Sequence, residues 1–148
     1  MRAVVQRVKH AQVSVAGRIT GRIGPGLLVL LGVAAHDTEA DAREIAGRVL
    51  KMRIFADPAG KMNLDLAAVG GQLLVVSQFT LLADTTAGRR PSFIGAAPPD
   101  QARDLYQKFL SLCRASGLKT EEGEFGAMME VELVNDGPVT LVLDSRGK

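Results

Sequence analysis

The sequence predicts an α+β protein: a strongly curved, largely antiparallel sheet or barrel with two helices packed on it. Two observations support this fold class. The predicted elements follow the order of two strands, two strand–helix units and three final strands. The chain also has 148 residues, the size of one domain, with no internal repeat, linker or low-complexity segment. We therefore expect a single domain over residues 1–148.

Three strands are predicted at the start of the chain. Residues 2–15 alternate apolar and polar side chains, which is typical of a half-buried strand. Glycine and proline turns then separate a second strand, at 18–23, from a third at 27–33. The third is continuously apolar, as expected for a strand that is buried on both faces.

The first helix is predicted from Thr38 to about Met52. Thr38 and Asp41 resemble a capping pair, and apolar residues recur at helical spacing behind them. A short extended piece at 53–56 and a turn follow this helix. A second buried strand is predicted at 72–76.

The second helix is predicted to open at Pro98-Pro99-Asp100 and to close at Gly117. Three strands follow, at 119–124, 129–134 and 139–143. The odd positions of the last two are apolar and the even positions are mainly polar, so we expect one buried and one solvated face. A small domain with this much β edge often covers its edges by pairing with a second copy.

Charge and composition exclude few functions. A net charge of +2 permits a nucleic-acid partner without requiring one. The one tight basic pair in a loop, Arg89-Arg90, is either a solvated turn or a phosphate contact. His10 and His36 stand apart from any Cys or carboxylate cluster, so no metal site is expected. Cys113 falls on the apolar face of the second predicted helix and is expected to be a buried thiol in a reducing compartment.

The beginning of the chain gives an expectation about location. Residues 1–7 alternate in polarity and lack the apolar run of a signal peptide. The longest apolar run, at 26–35, is too short to cross a bilayer. We expect a cytoplasmic protein with no membrane association.

Residues 77–81 form the first candidate site. Ser77, Gln78 and Thr80 place two hydroxyls and an amide at the end of a buried strand. A rigid strand end is a common place for functional groups. The alternative is a plain strand terminus at which Ser and Thr bond the local backbone.

Residues 135–140 (Asn-Asp-Gly-Pro-Val-Thr) form the second candidate site, between the last two predicted strands. Asp136-Gly137 is an ordinary hairpin signal. Pro138 removes an amide donor where a returning strand would begin to pair, and it moves Gly137 away from helical geometry. The segment is therefore either a simple turn or a place where unpaired carbonyls face a ligand.

Together these two segments resemble the motif pair of the D-aminoacyl-tRNA deacylases, often called D-tyrosyl-tRNA deacylases. Either motif alone is weak, but both in this order, at this separation and in a chain of this length are specific. The resemblance extends over essentially the whole chain, including residues 1–8, 23–28, 60–64, 88–93 and 125–129.

The resemblance implies an enzyme that hydrolyses the ester between a D-amino acid and the terminal adenosine of tRNA and leaves L-aminoacyl-tRNA intact. Glycine, including glycine mischarged on tRNA-Ala, is a further implied substrate. The resemblance also implies a homodimer with the active site at the subunit interface, and it implies no cofactor or metal. The implied catalytic residues are Ser77, Gln78, Phe79 and Thr80, and the implied substrate-binding residues are Arg7, Ala102, Phe125, Met129, Asn135, Gly137, Pro138 and Thr140.

Separate roles follow from the resemblance. The Gly137-Pro138 peptide is implied to be cis and to enter the partner's pocket, where its carbonyls crowd the α-carbon of the amino acid. Arg7 is implied to brace that segment, although from the pattern alone it is a surface cation. Phe125 and Met129 are implied to line the adenosine side, and Ala102 to border the α-substituent.

The chemistry fits this inventory. An aminoacyl ester carries an ammonium beside its carbonyl and is already activated toward water, so neither a metal nor a histidine-based triad is needed. Backbone N–H groups near Phe79 and Thr80 are candidate donors to the oxyanion, and the 2′-hydroxyl of the substrate is a ready participant.

Other functions stay open. Thr80 or Ser77 as a covalent nucleophile lacks a base nearby in sequence. A non-catalytic dimer that binds nucleic acid is supported only by the mild positive charge. Composition allows a metabolic hydrolase or lyase, which only the motifs disfavour.

Overall fold

A long first strand organises the main sheet. The computed structural model describes residues 1–147. β1 (Arg2–Val15) pairs antiparallel with β3 (Gly26–Gly32) through its first half and with β2 (Arg18–Ile23) through its second half. Its other edge pairs antiparallel with β8 (Glu130–Asp144) along nearly its whole length.

Two parallel pairings complete the sheet. β6 (Gln72–Ser77) lies beside β3, and β7 (Thr120–Glu122) lies beside β6. The ends of the sheet approach each other where β2 meets β7. The approach is so close that a side chain at Gly21 would clash with the carbonyl oxygen of Glu122. The sheet is therefore mixed and nearly closed into a barrel.

Both helices pack on the outer face of this sheet. α1 (Glu39–Lys51) begins after Thr38, whose N–H donates to the Asp41 carboxylate at 2.8 Å, and α2 (Pro99–Ala115) begins with a proline in its first turn. Residues of both helices and of β1, β3 and β6 form the main core. Cys113 is fully buried there, as predicted, and burial raises the pKa of its thiol to about 12. The thiol therefore stays protonated and unreactive at neutral pH.

A second, smaller core fills the inside of the curved sheet. Ala3 and Val5 of β1 belong to the helix-side core, whereas Val8, Ala11 and Val13 belong to the inner one. The strand changes faces where its pairing with β8 is irregular, between Gln6 and His10. The side chain of Arg7 leaves β1 at this irregularity.

The predicted fold class is confirmed: two helices pack on a nearly closed sheet in one domain. The helices and the strands at 2–15, 18–23, 27–33 and 72–76 lie within one or two residues of the predicted bounds. Two of the pairings in the main sheet are parallel, in accord with a sheet that is only largely antiparallel. No helix within residues 1–147 is long and apolar enough to cross a membrane.

The prediction of three final strands is wrong. The segments at 129–134 and 139–143 are two parts of the single strand β8, which runs along β1 without turning back: Leu133 faces Ala11, and Leu141 faces Val5. Asp136-Gly137 is thus a bulge in one strand and not a hairpin. A hairpin here would leave half of the long β1 edge unpaired, which explains why the chain continues.

The buried face predicted for β8 is only partly realised. Of the odd positions in the two predicted segments, Leu143 is buried and Val131 is exposed, and the others are half-buried. Two smaller elements also differ from the prediction. β4 (Phe55–Ala56) and β5 (Met62–Leu64) form a separate hairpin, and residues Phe79–Leu82 form a 3₁₀ helix after β6.

Candidate active site

A cavity of about 450 Å³ opens where β6 ends and the 3₁₀ helix begins. One wall is the chain from Val76 to Thr80, and the other is formed by Val131 and residues 126–129. A second cavity of about 380 Å³ adjoins it and shares Phe79 and Gly126 with it. The two cavities form one candidate binding site with Phe79 standing between them.

Gly32 allows the 3₁₀ helix to lie against the end of β3. A Cβ atom at this position would come within 2.5 Å of Leu82 Cδ2 and 3.0 Å of the Gln78 carbonyl oxygen. The Gln78 N–H donates to the Leu31 carbonyl at 2.8 Å and fixes the start of the helix. The wall formed by residues 77–80 is therefore held by the sheet itself.

Two backbone N–H groups of this wall are free donors in the part of the chain that the structure describes. The N–H groups of Phe79 and Thr80 make no hydrogen bond within residues 1–147, whereas the next N–H, of Leu81, donates to the Gln78 carbonyl at 3.2 Å. The first N–H groups of any helix lack partners inside it. Here they lie on residues that line the cavity, where such groups can stabilise an oxyanion.

The hydroxyl of Thr80 has no base beside it. Its oxygen accepts a hydrogen bond from the side-chain amide of Gln78, and an amide nitrogen cannot take a proton. No ionisable side chain is among the residues lining either cavity. His10 and His36 are exposed elsewhere on the surface. The arrangement disfavours Thr80 or Ser77 as a covalent nucleophile.

The far wall is apolar and closely packed. Phe125 and Ala102 line the second cavity, and the guanidinium of Arg103 lies 5.0 Å from the centre of the Phe125 ring. Met129 lines the first cavity, and its sulfur lies over Gly123, where a Cβ atom would be 2.7 Å away. Phe125 and Met129 are both half-buried against neighbours of their own chain.

Arg7 lies at the centre of a second cluster of polar groups. Its Nη1 donates to the Ile54 carbonyl at 2.6 Å, and its Nε donates to the Asp136 carbonyl at 3.2 Å. Nε also lies 3.3 Å from the Asp136 carboxylate. The Arg7 side chain is only 14% exposed, so the interpretation as a solvated surface cation is wrong.

Asn135 connects the two ends of the β8 bulge. Its Nδ2 donates to the Arg7 carbonyl at 2.9 Å and to the Val139 carbonyl at 3.0 Å, and the Thr140 hydroxyl donates to its Oδ1 at 3.4 Å. Gly137 and Pro138 are exposed, their peptide bond is cis, and Gly137 has a φ of 124°. A Cβ atom at Gly137 would lie 2.8 Å from Arg7 Nη2, so this position requires glycine on both counts.

The structure divides the predicted site residues into two groups. Those that line the two cavities are Ser77, Gln78, Phe79, Thr80, Ala102, Phe125 and Met129. Those that form the cluster around the bulge are Arg7, Asn135, Gly137, Pro138 and Thr140, and none of these lines a described cavity. Among residues 1–147, no described cavity is lined by members of both groups.

Sequence reasoning missed several residues of the site. Phe93 packs edge-on against Phe79 with ring centres 5.1 Å apart and lines the second cavity. Gly32 carries no pattern signal, because its role depends on a contact with residues far away in sequence. Within residues 1–147 no three His, Cys, Asp or Glu side chains come together in a way suited to a metal ion.

Comparisons with known proteins show what the whole chain is similar to. The chain matches the family described as D-Tyr-tRNA(Tyr) deacylase over residues 4–144. It is 58% identical over 146 residues to the D-aminoacyl-tRNA deacylase of Desulfatibacillum aliphaticivorans, covering 99% of this chain and 100% of the relative. It is also 58% identical over 144 residues to the D-aminoacyl-tRNA deacylase of Deinococcus radiodurans, covering 97% of this chain and 99% of the relative.

Solved structures share the fold. A structure named c-Myc DNA Unwinding Element Binding Protein superposes with a TM-score of 0.93 at 39% identity, over 99% of this chain and 100% of that one. A probable eukaryotic D-amino acid tRNA deacylase superposes with a TM-score of 0.83 at 19% identity, over 96% and 97% of the two chains. The family match and relatives at 58% identity over nearly the whole chain define a hydrolase. The chain belongs to the D-Tyr-tRNA(Tyr) deacylase family.

Proposed function

We propose that this protein releases D-amino acids from tRNA by hydrolysing the ester to the terminal adenosine. The observation that carries the proposal is the pair of unpartnered N–H groups, of Phe79 and Thr80, on the wall of a cavity lined by no ionisable side chain. Such a site stabilises negative charge without supplying a proton acceptor. It suits a substrate that is already reactive toward water.

The proposed reaction uses groups of the substrate. Water adds to the ester carbonyl, and the carbonyl oxygen, now an oxyanion, accepts hydrogen bonds from the N–H groups of Phe79 and Thr80. The bond from the carbonyl carbon to the ribose 3′-oxygen then breaks, and that oxygen takes up the proton lost by the water. The neighbouring 2′-hydroxyl assists this transfer, since no side chain of the cavity is placed to do so. Phe125 and Met129 bind the adenosine, and Ala102 borders the α-substituent.

Chiral selection is assigned to the Gly137-Pro138 segment of a second copy of the chain. The segment is exposed, is tied down by Arg7 and Asn135, and lines no cavity of its own chain. Inserted into the partner's pocket, its carbonyls leave no room for an L side chain at the α-carbon. Glycine has no side chain to exclude, so glycyl-tRNA, including glycine mischarged on tRNA-Ala, is a further proposed substrate.

The same arrangement makes the protein an obligatory homodimer. The exposed apolar residues of β8 (Val131, Val134 and Val142) support an interface on that strand. Sedimentation at micromolar concentration is expected to give twice 15.7 kDa. A fully active monomer would refute the cross-subunit site. We place the protein in the cytoplasm, where aminoacyl-tRNA is used.

The activity is tested with D- and L-tyrosyl-tRNA and enzyme treated with a strong chelator. Loss of the D-ester with the L-ester intact is the expected result. Equal cleavage of both esters, or loss of activity on chelation, would contradict the proposal. Tight binding of tRNA without turnover would instead favour a second candidate function, a dimer that binds nucleic acid without catalysis. The structural relative named c-Myc DNA Unwinding Element Binding Protein suggests this candidate.

A further inference from the structure

One loop leading to the second cavity carries two arginines, Arg89 and Arg90, whose side chains make no hydrogen bond or ion pair within residues 1–147. Residues 85–91 are closed off by a pair of hydrogen bonds between Asp84 and Ser92, with N–O distances of 2.7 and 2.9 Å. The Asp84 carboxylate accepts from the hydroxyl and the N–H of Thr86, and these bonds lower the pKa of that carboxyl. The loop therefore satisfies its own acid internally and presents Arg89 and Arg90 to solvent.

The loop ends at the cavity. Phe93, directly after the bridge at Ser92, lines the second cavity and packs against Phe79. Arg90 precedes Phe93 by three residues, so their Cα atoms lie within about 11 Å of each other. Arg103 does not itself line this cavity, but its guanidinium lies 5.0 Å from the centre of the ring of Phe125, which does.

These three arginines differ from all the others. Every arginine except Arg89, Arg90 and Arg103 makes a hydrogen bond or lies within 4.0 Å of a carboxylate within residues 1–147. The sequence from 85 to 99 contains no acidic residue. Arg89 and Arg90 thus lie in the loop that leads to this cavity, and Arg103 lies against one of its lining rings, although the chain as a whole carries a net charge of only +2.

We infer that Arg89, Arg90 and Arg103 form a phosphate-binding edge that holds the sugar–phosphate backbone of the single-stranded tRNA 3′ end, immediately 5′ of the terminal adenosine. This inference rests on the proposed function. A guanidinium group with all its donors free is suited to bind phosphate oxygens in a bidentate manner. A terminal adenosine bound at Phe125, as proposed above, directs its 5′-phosphate out of the apolar second cavity toward these charges. The exposed rings of Phe79 and Phe93 also suit stacking with single-stranded bases.

The test compares two substrates that share the ester and differ in the backbone. D-tyrosyl-tRNA carries the phosphates, and 3′-O-D-tyrosyl-adenosine carries none. For the variant R89A/R90A we expect KM for the tRNA to rise roughly threefold to twentyfold. We expect kcat for the tRNA and both constants for the adenosine ester to stay unchanged. The slope of log(kcat/KM) against log[salt] for the tRNA is expected to become shallower by about 1.4, for two lost contacts to a single strand.

Two further variants control this result. K61A/K119A removes two exposed lysines that line neither cavity, and its KM for tRNA should stay within about twofold of wild type. R89K/R90K keeps the charge and should keep the salt slope. An equal loss on both substrates, or an equal KM rise in K61A/K119A, would overturn the inference while leaving the deacylase activity in place. A wild-type enzyme that cleaves neither D-ester would refute the proposed function and this inference with it.

Discussion

The two cavities and the cluster around Arg7 are built in opposite ways. The cavity wall leaves donors unused: among residues 1–147 the N–H groups of Phe79 and Thr80 have no acceptor, and no charged side chain lines either cavity. Around Arg7, by contrast, nearly every polar group is engaged, and the exposed Gly137-Pro138 segment is held from both ends.

This difference indicates a division of labour. Free donors next to empty space suit a binding partner that arrives from outside the protein, such as a developing oxyanion. A segment that is exposed yet tightly held suits a rigid element that enters another surface, because ordering it at the moment of binding would weaken association. The predictions below test whether the first region acts through its backbone and the second through its rigidity.

The largest effect is expected from removing a backbone donor of the cavity. Phe79 is the first residue of the 3₁₀ helix, a position at which proline is tolerated because its N–H has no partner inside the helix. Phe79→Pro removes the N–H and the ring, whereas Phe79→Ala removes only the ring. We expect kcat of the proline variant to be lower than that of the alanine variant by about 10²–10³. Equal kcat values, measured in single turnover, would show that this N–H does not bind the oxyanion.

The next effect is on selectivity. Arg7→Ala leaves the Ile54 and Asp136 carbonyls without their donor, so the Gly137-Pro138 segment should become mobile. We expect D/L discrimination to fall roughly tenfold and the free energy of unfolding to drop by about 1–3 kcal/mol. Arg22→Ala, which removes an exposed arginine bonded only to Gln12, is the matched control. An unchanged D/L ratio in Arg7→Ala would separate Arg7 from the site.

A smaller effect is expected for the hydroxyl of Thr80. Thr80→Ala keeps the backbone N–H, so kcat should fall less than about tenfold, against about 10⁴–10⁶ for loss of a nucleophile. D-tyrosyl-tRNA ending in 2′-deoxyadenosine should react far more slowly with wild-type enzyme. A dead Thr80→Ala that still binds tRNA, together with normal turnover of the 2′-deoxy substrate, would make Thr80 the catalytic residue.

The smallest effect is expected from pH. No ionisable side chain within residues 1–147 lines either cavity, so no group of the enzyme should gain or lose a proton during the reaction. We therefore expect kcat to stay constant between pH 5 and 7. The pKa of a free α-amino group is about 7.7–8.0, so the α-ammonium of the substrate loses its proton only above this pH range. The measurement is single-turnover kcat, corrected for spontaneous hydrolysis at each pH. A bell-shaped profile would show that a general acid and base reach the ester after all.

Local pattern was enough for most of the fold. The alternation in β1, the apolar runs of β3 and β6 and the capping residues of both helices are features of neighbouring residues, and they predicted the elements closely. The prediction of the final strands was wrong for a non-local reason. Asp136-Gly137 is a strong turn signal, but the long edge of β1 offers more pairing than a hairpin would use.

The site was predictable only in part. The hydroxyls and amide after β6 marked the cavity wall, and the resemblance supplied the remaining residues. Pattern could not show that the guanidinium of Arg7 reaches Ile54, nor that Gly32 makes room for the 3₁₀ helix. Both depend on segments that are distant in sequence and meet only in the folded chain.

The pairing of β1 with β8 has a consequence for synthesis. Arg7 and Asp136 are separated by 129 positions, which takes roughly 6–26 seconds to translate at about 5–20 residues per second. Throughout that interval β1 can pair with β2 and β3, but its whole other edge stays open. An open edge of this length is a template for aggregation. Nascent chains stalled before residue 130 should therefore need chaperone protection that the finished protein does not.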